Sequence, residues 1–344
     1  MENKIKSLIN LNAKHSEQFC SDRLDRELYL AKHPTQVVAF KCMDGRIHLP
    51  TITHTPLGII RPYRNIGGKF NLGWPLLNNS FDNLVIKSVS KGNQVLVLVT
   101  YHFSEGDEHR GCAGFKYDCE AAKKFTVEFR EQIQRIYGKS NRVVCPIIVG
   151  IETDKDAMLL HGEKGEVLDL SRVEDKSETS LKTELRKIYP TMPQRILEDL
   201  LPLVQGNIEH IAETKGQKPM DQLVHGEWIL AVGKGFDWLH TPNMALIVGP
   251  YDPNIGEPIK TAASIIKSNM EARRVDKGFV VLSSAVYADP AEYLRTKERT
   301  LYLNQLAKKV VEDNFPEIVN LMNTLAVVVD VRTMKMEAVG QLIS

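Results

Sequence analysis

Cys42, Asp44 and Arg46 form a C-x-D-x-R pattern directly after an apolar run, Val37-Val38-Ala39-Phe40. His102 ends a second, stronger apolar run, and Cys112 follows in the loop beyond it. Two thiols and an imidazole give zinc three soft or borderline protein ligands and leave a fourth position open. Arg46 is permanently charged, and its planar fork can grip a carboxylate. Asp44 lies too close to Cys42 in the chain to be far from such a metal. The chemistry these residues could do is metal-assisted activation of water, with Asp44 holding the water and Arg46 holding Asp44. A lone C-x-D-x-R is weak, because a buried cysteine beside an ion pair is its commoner form. The pattern gains weight from Arg64-Asn65-x-Gly67-Gly68, from a histidine at a strand tip, and from Gly111-Cys112-Ala113-Gly114 ahead of a helix. A thiolate at such a helix start would be stabilised by the dipole.

Those residues need a scaffold that brings strand tips together. The run at 36–41 is uniformly apolar, as in a strand buried on both faces of a parallel sheet. Its C-terminal end is where open α/β sheets place their chemistry. The run at 94–101 is the strongest strand in the chain, and 143–151 is another. A helix capped by Ser80 is predicted over 80–90, and a long one over 118–137 that stops at Gly138. Residues 1–34 read as amphipathic helix, and 170–215 as charged helix punctuated by Pro190, Pro193 and Pro202.

From about residue 224 the alternation begins again, with strands at 228–232, 244–248, 278–284 and 326–331. Helices are expected over 261–274 and over 291–325. The repeated order suggests a divergent duplication. In that reading 244–248, 278–284 and 326–331 correspond to 36–41, 94–101 and 143–151. The counterpart of the Cys42 tip would fall near Gly249-Pro250-Tyr251-Asp252, and that of His102 near Tyr287. All five cysteines (Cys20, Cys42, Cys112, Cys119 and Cys145) precede residue 146, so the second copy cannot hold the same metal.

Length and composition set the outer bounds. A chain of 344 residues with 43% hydrophobic content can build two domains. Lys+Arg 44 against Asp+Glu 43 leaves no basic field for nucleic acid and no polybasic tail for a membrane. No apolar run reaches the length of a membrane span, and the N-terminus lacks a signal-peptide core. An odd cysteine count in a large chain points to a reducing, cytoplasmic compartment rather than a disulfide framework.

The three patterns at 42–46, 64–67 and 102–114 together resemble the β-class carbonic anhydrases. The likeness is closer to the carboxysome shell carbonic anhydrase branch. Residues 147–157 (Ile-Ile-Val-Gly-Ile-Glu-Thr-Asp-Lys-Asp-Ala) are similar to a segment after that branch's third core strand. The run from His225-Gly226-Glu227-Trp228-Ile229 to Val232-Gly233-x-Gly235-Phe236 is similar to its H-x-E-R-x-I-x-V-G segment. The resemblance covers most of the chain from about residue 35, without the shell protein's large N-terminal helical domain.

That resemblance implies an α/β fold, a mostly parallel β-sheet flanked by helices, with a second, degenerate copy. It implies a helical segment at 1–34, a zinc-binding catalytic domain at 35–224 and a metal-free pseudo-repeat at 225–344. It implies reversible hydration of carbon dioxide to bicarbonate through a zinc-bound hydroxide. The metal would be held by Cys42, His102 and Cys112, with Asp44 and Arg46 as a catalytic dyad. His225 would hydrogen-bond the solvent nucleophile, or else be a core imidazole. Ordinary β-class enzymes use His-x-x-Cys, which His109-Arg110-Gly111-Cys112 matches, so His109 is the alternative ligand to His102. The strand-tip position favours His102. A homodimer and association with a carboxysome are further expectations. Alternative functions are hydrolysis of another small cumulated substrate, such as carbon disulfide, and a non-catalytic zinc scaffold with Asp44 as fourth ligand. Cys20, Cys119 and Cys145 read as packing thiols. Asp154 and Asp156 read as turn caps, and His48, His54 and His161 as ordinary histidines.

Overall fold

The computed structural model describes residues 2–139, 142–215, 223–239 and 241–342. The chain divides into two compact units. One comprises Asp25–Cys42 and Ile47–Leu223. The other comprises the described residues of Met1–Leu24, Met43–Arg46 and Val224–Ser344.

The first unit is built on a six-stranded sheet in the order β2-β1-β3-β4-β5-β6. Its strands are β1 (Gln36–Cys42), β2 (Ile60–Asn65), β3 (Val95–Phe103), β4 (Val144–Glu152), β5 (Ala157–His161) and β6 (Val167–Asp169). The first four run parallel; β5 pairs antiparallel with β4, and β6 antiparallel with β5. β4 is buried along its whole length, and β1 and β3 nearly so, as parallel strands covered on both faces must be. Helices α1 (Glu2–Ser21) and α2 (Arg23–Lys32) precede the sheet in sequence, and α3 (Pro75–Val89) and α4 (Cys119–Tyr137) connect its strands. Phe40 locks β1 two residues before Cys42. It stacks on Tyr63 with centroids 4.8 Å apart and meets Phe70, Phe81 and Phe129 edge-on. Thr100 Oγ1 on β3 donates to the Phe40 carbonyl at 3.1 Å, a further tie between these two strands.

The second unit has a five-stranded sheet in the order β11-β10-β9-β7-β8. Its strands are β7 (Ile229–Gly233), β8 (Ala245–Val248), β9 (Phe279–Tyr287), β10 (Met322–Asp330) and β11 (Lys335–Leu342). Strands β7, β8, β9 and β10 are parallel and β11 is antiparallel. Read from the other edge, β8-β7-β9-β10-β11 repeats β2-β1-β3-β4-β5 in order and direction. The fold is therefore α/β with two mostly parallel sheets and a repeated topology. Helix α1 belongs to this unit. Ile5 and Leu8 join the core of Ile229, Ala231, Val280 and Val327, and Asn12 exchanges hydrogen bonds with the backbone of Met334 and Met336.

The repeat is shifted from its sequence reading. The partner of β1 is β7, not the strand at 244–248, which is β8 and stands where β2 does. The counterpart of the Cys42 tip is thus Gly233-Lys234-Gly235 rather than 249–252. Strand β9 runs to Tyr287, three residues past the expected 284, and its tip falls where the counterpart of His102 is expected. The helix predicted at 80–90 begins at Pro75, whose fixed φ suits a first helical turn. Ser80 lies inside it, with its hydroxyl 3.3 Å from that of Tyr63. The helical stretch at 291–325 is α8 (Tyr293–Asn314) and a short 3₁₀ segment, and β10 starts at Met322. Two helices (α5, Glu178–Ile188; α6, Gln194–Thr214) fill 170–215, and α7 spans Gly256–Glu271. Among the described residues no helix is long and apolar enough to cross a membrane.

Candidate functional site

Cys42 closes β1, His102 lies near the end of β3, and Cys112 follows in the loop after β3, all within the first unit. Parallel pairing of β1 with β3 sets the first two side by side at the sheet's C-terminal edge. One donor atom from each of Cys42, His102 and Cys112 lies within 4.8 Å of the others, and all three residues are buried. The two sulfurs are 3.9 Å apart. That is far beyond a disulfide, and it fits two thiolates held at about 2.3 Å by one tetrahedral ion, which stand about 3.8 Å apart. Donor type and spacing therefore both suit zinc. His109 does not join them: its side chain is 75% exposed and its ring packs edge-on to Tyr117.

Two devices carry Cys112 to the strand tips. The first is the glycine turn after Arg64-Asn65. Arg64 is buried and donates to the carbonyls of Ile47 (3.1 Å) and Cys42 (3.5 Å), gripping the end of β1. Gly67 takes φ 62°, and a Cβ on Gly114 would stand 2.6 Å from its Cα. Only glycines let these loops touch. The second device is Asp154, which accepts from Ser104 Oγ (2.7 Å), Gly106 N (2.9 Å) and Arg110 (3.2 Å). Buried Glu152 adds the N–H groups of Glu105, Asp154 and Lys155. Asp154 is thus more than the turn cap its sequence suggests. Replacing it by alanine should leave the sheet intact but loosen the Cys112 loop. We expect metal retention to fall about 10–100-fold in a chelator-competition assay. Unchanged retention would show that the loop needs no such anchor.

Cys112 does not stand at the start of a long helix, as its sequence suggests: a single 3₁₀ turn, Ala113–Phe115, follows it, and α4 begins only at Cys119, so the dipole of α4 does not act on it directly.

Asp44 and Arg46 group with the second unit, as do His225 and Glu227. Arg46 clasps Asp44 three ways: its backbone N–H and Nε donate to Oδ1 (2.8 and 3.1 Å), and Nη2 donates to Oδ2 (2.6 Å). Both side chains are almost wholly buried. His225 Nε2 stands 3.3 Å from Arg46 Nη2 and 3.8 Å from Asp44 Oδ2. Its Nδ1 lies 3.0 Å from both oxygens of Glu227. Burial is the largest influence on His225 and opposes its charge; the Glu227 carboxylate acts against it through both charge and hydrogen bond. Arg46 counters and Asp44 assists, so the imidazole binds its proton more tightly than an ordinary histidine. Burial pushes Glu227 up, while His225 pulls it further down, below the usual carboxylate range. Asp44, His225 and Glu227 also converge within 4.8 Å. With Arg46 already on Asp44, the group reads as a charge-balanced acid–base array and not as a second metal centre.

Gly45 is obligatory here. Its N–H donates to Glu227 Oε1 (3.1 Å) and its carbonyl accepts from Asn243 N (2.7 Å). A Cβ would stand 2.6 Å from the Ala245 carbonyl oxygen and 2.8 Å from Glu227 Cγ. Gly45→Ala should therefore cost about 1–3 kcal/mol, read as a lowered urea midpoint, and should displace the dyad. A parental midpoint would mean that the segment can shift at no cost.

The other sequence candidates have ordinary partners. His48 meets Thr51, His54 lies between Glu209 and Glu213, and His161 bonds Tyr101. Asp156 meets His210. Cys20 is exposed, Cys119 opens α4, and burial pushes the Cys145 thiol up to about 12. Glu227 is the residue that sequence reasoning quoted without giving it a role. The H-x-E spacing was its signal.

Comparison with known proteins bears on this geometry. Residues 76–225 match the family described as carboxysome shell carbonic anhydrase, catalytic domain. The match includes His102, Cys112 and His225; Cys42, Asp44 and Arg46 precede it. A curated carboxysome shell carbonic anhydrase from Halothiobacillus neapolitanus is 26% identical over a region covering 59% of this chain and 48% of the relative. The chain thus spans about half the length of that relative. Across residues 76–225 this chain shows the likeness to the catalytic domain of the carboxysome shell carbonic anhydrases that its motifs point to.

Proposed function

We propose that this protein is a zinc-dependent carbonic anhydrase of the β-class type, interconverting carbon dioxide and bicarbonate. The observation that carries the reading is the buried Cys42–His102–Cys112 set, with Asp44 clasped by Arg46 two residues along the chain from Cys42. Chain geometry keeps the Cα atoms of residues 42 and 44 within about 7 Å. When bound, zinc supplies a Lewis acid that makes water a usable nucleophile near neutral pH, with a pKa of about 7.

The protein's own groups do the rest. Asp44, ionised and clamped, accepts a hydrogen bond from the nucleophile and orients it toward the carbon of the substrate. Arg46 holds Asp44 away from the role of fourth ligand, because both carboxylate oxygens already receive its N–H groups. His225 takes the proton released when water and carbon dioxide become bicarbonate, and passes it to solvent. Residues 35–224 form the catalytic domain in this reading, and 225–344 the metal-free repeat. Two chains associate as a homodimer, the common closed assembly. Association with a carboxysome is supported by the names of the matched family and the relative.

Stopped-flow hydration of carbon dioxide by the zinc-loaded chain, with carbon disulfide as competing substrate, tests the reading. Fast hydration is expected. A zinc-loaded protein no faster than buffer, or one that turns over only carbon disulfide, would overturn it.

A further inference from the structure

We infer that Glu227 is a positioning residue: it fixes a proton on His225 Nδ1 and so makes Nε2 the nitrogen that exchanges protons beside Asp44 and Arg46. The inference rests on the proposed acid–base role of that array, but its test needs no turnover.

An ionised carboxylate only accepts hydrogen bonds. Glu227 is fully buried and places both oxygens 3.0 Å from His225 Nδ1, so that nitrogen must carry hydrogen. In the neutral ring Nε2 is then an acceptor, and Arg46 Nη2 stands 3.3 Å away as a donor. Charge balance favours one further proton. Two buried carboxylates, Asp44 and Glu227, face a single guanidinium, and an uncompensated buried charge is expensive. A proton on Nε2 neutralises the group and has Asp44 Oδ2 at 3.8 Å as its nearest carboxylate oxygen. Nε2 therefore sits between a donor and an acceptor, in two states that differ by one proton. Among the described residues, Asp44, Arg46 and Glu227 are the charged groups facing the ring.

Glu227 is itself held in place. Its Oε1 accepts from Gly45 N at 3.1 Å, so the residue that fixes the imidazole also fixes the turn between Asp44 and Arg46. Asn269 Nδ2 donates to the Glu227 carbonyl at 3.1 Å and approaches Oε2 at 3.5 Å. Arg274 can only donate, and its Nη1 lies 3.2 Å from Asn269 Oδ1, which turns the amide nitrogen toward Glu227.

Long-range proton–nitrogen correlation spectra of the ¹⁵N-labelled full chain report the tautomer directly. The His225 ring is assigned by its disappearance in His225→Gln. At the alkaline end of its titration the parent ring should be the Nδ1–H tautomer. Glu227→Gln keeps the shape and removes the charge, so the His225 midpoint should fall by about one pH unit or more, roughly tenfold in proton affinity. An Nε2–H tautomer in the parent, or an unmoved midpoint in Glu227→Gln, overturns the inference. If Glu227→Gln does not fold, the parent tautomer alone decides. A parent with the expected tautomer but no carbon dioxide hydration would contradict the proposed function and leave this assignment standing.

Discussion

Cys42→Ala and Cys112→Ala should each empty the chain of metal, taking zinc from one ion per polypeptide to a small residual fraction. The two sulfurs stand 3.9 Å apart and are buried with His102, so either loss leaves one thiolate and one imidazole. Two protein ligands do not hold zinc against a chelator when three barely complete an open site. Activity should vanish with the metal. His102→Ala should behave like the cysteine variants, whereas His109→Ala should keep both zinc and activity, because its ring is exposed. Elemental analysis after chelator dialysis reads all four outcomes. Full zinc in either cysteine variant would remove the ligand assignment. Zinc lost only in His109→Ala would move the ligand into the loop.

Asp44→Asn should keep zinc and lose at least about a hundredfold in carbon dioxide hydration. The amide preserves the size of the side chain but cannot accept from Arg46 on both sides, and it loses the charge that orients the nucleophile. Removing one such preorganised partner commonly costs about 10²–10³ in turnover. Arg46→Ala should lose as much activity and carry a second penalty. It removes the guanidinium that holds both oxygens of the buried Asp44 carboxylate, a change worth about 3–5 kcal/mol of stability. Melting and zinc content measured beside the rate separate the two effects. A parental rate in Asp44→Asn would contradict the mechanism. A stable but inactive Arg46→Ala would show that the pair is worth less to the fold than its burial implies.

What could be read from the sequence was what neighbouring residues specify among themselves. Cys42, Asp44 and Arg46 are close in the chain, and apolar runs announce β1, β3 and β4. Strand β2 went unread because Arg61, Pro62 and Arg64 interrupt its apolar character, which an edge strand tolerates and a central one does not. Strand β11 is mixed in polarity and also at an edge. The repeat was visible as an alternation of elements, but its register was not. β7 and β8 are both brief apolar runs, and only pairing with β9 shows that β7 corresponds to β1. Glu227 meets Gly45 across 182 residues, a distance over which spacing carries no information. The shift of α3 to Pro75 has a local cause, since a proline at a first turn outweighs a serine five residues later.

Zinc-edge X-ray absorption of the metal-loaded chain tests the central claim most directly. Two sulfurs at about 2.3 Å, one imidazole nitrogen at about 2.0–2.1 Å and one further light atom are the expected shell. The fourth light atom should remain in Asp44→Ala, where no carboxylate is left to supply it. A shell without sulfur, or with one or four sulfurs, would contradict an open site made by Cys42, His102 and Cys112.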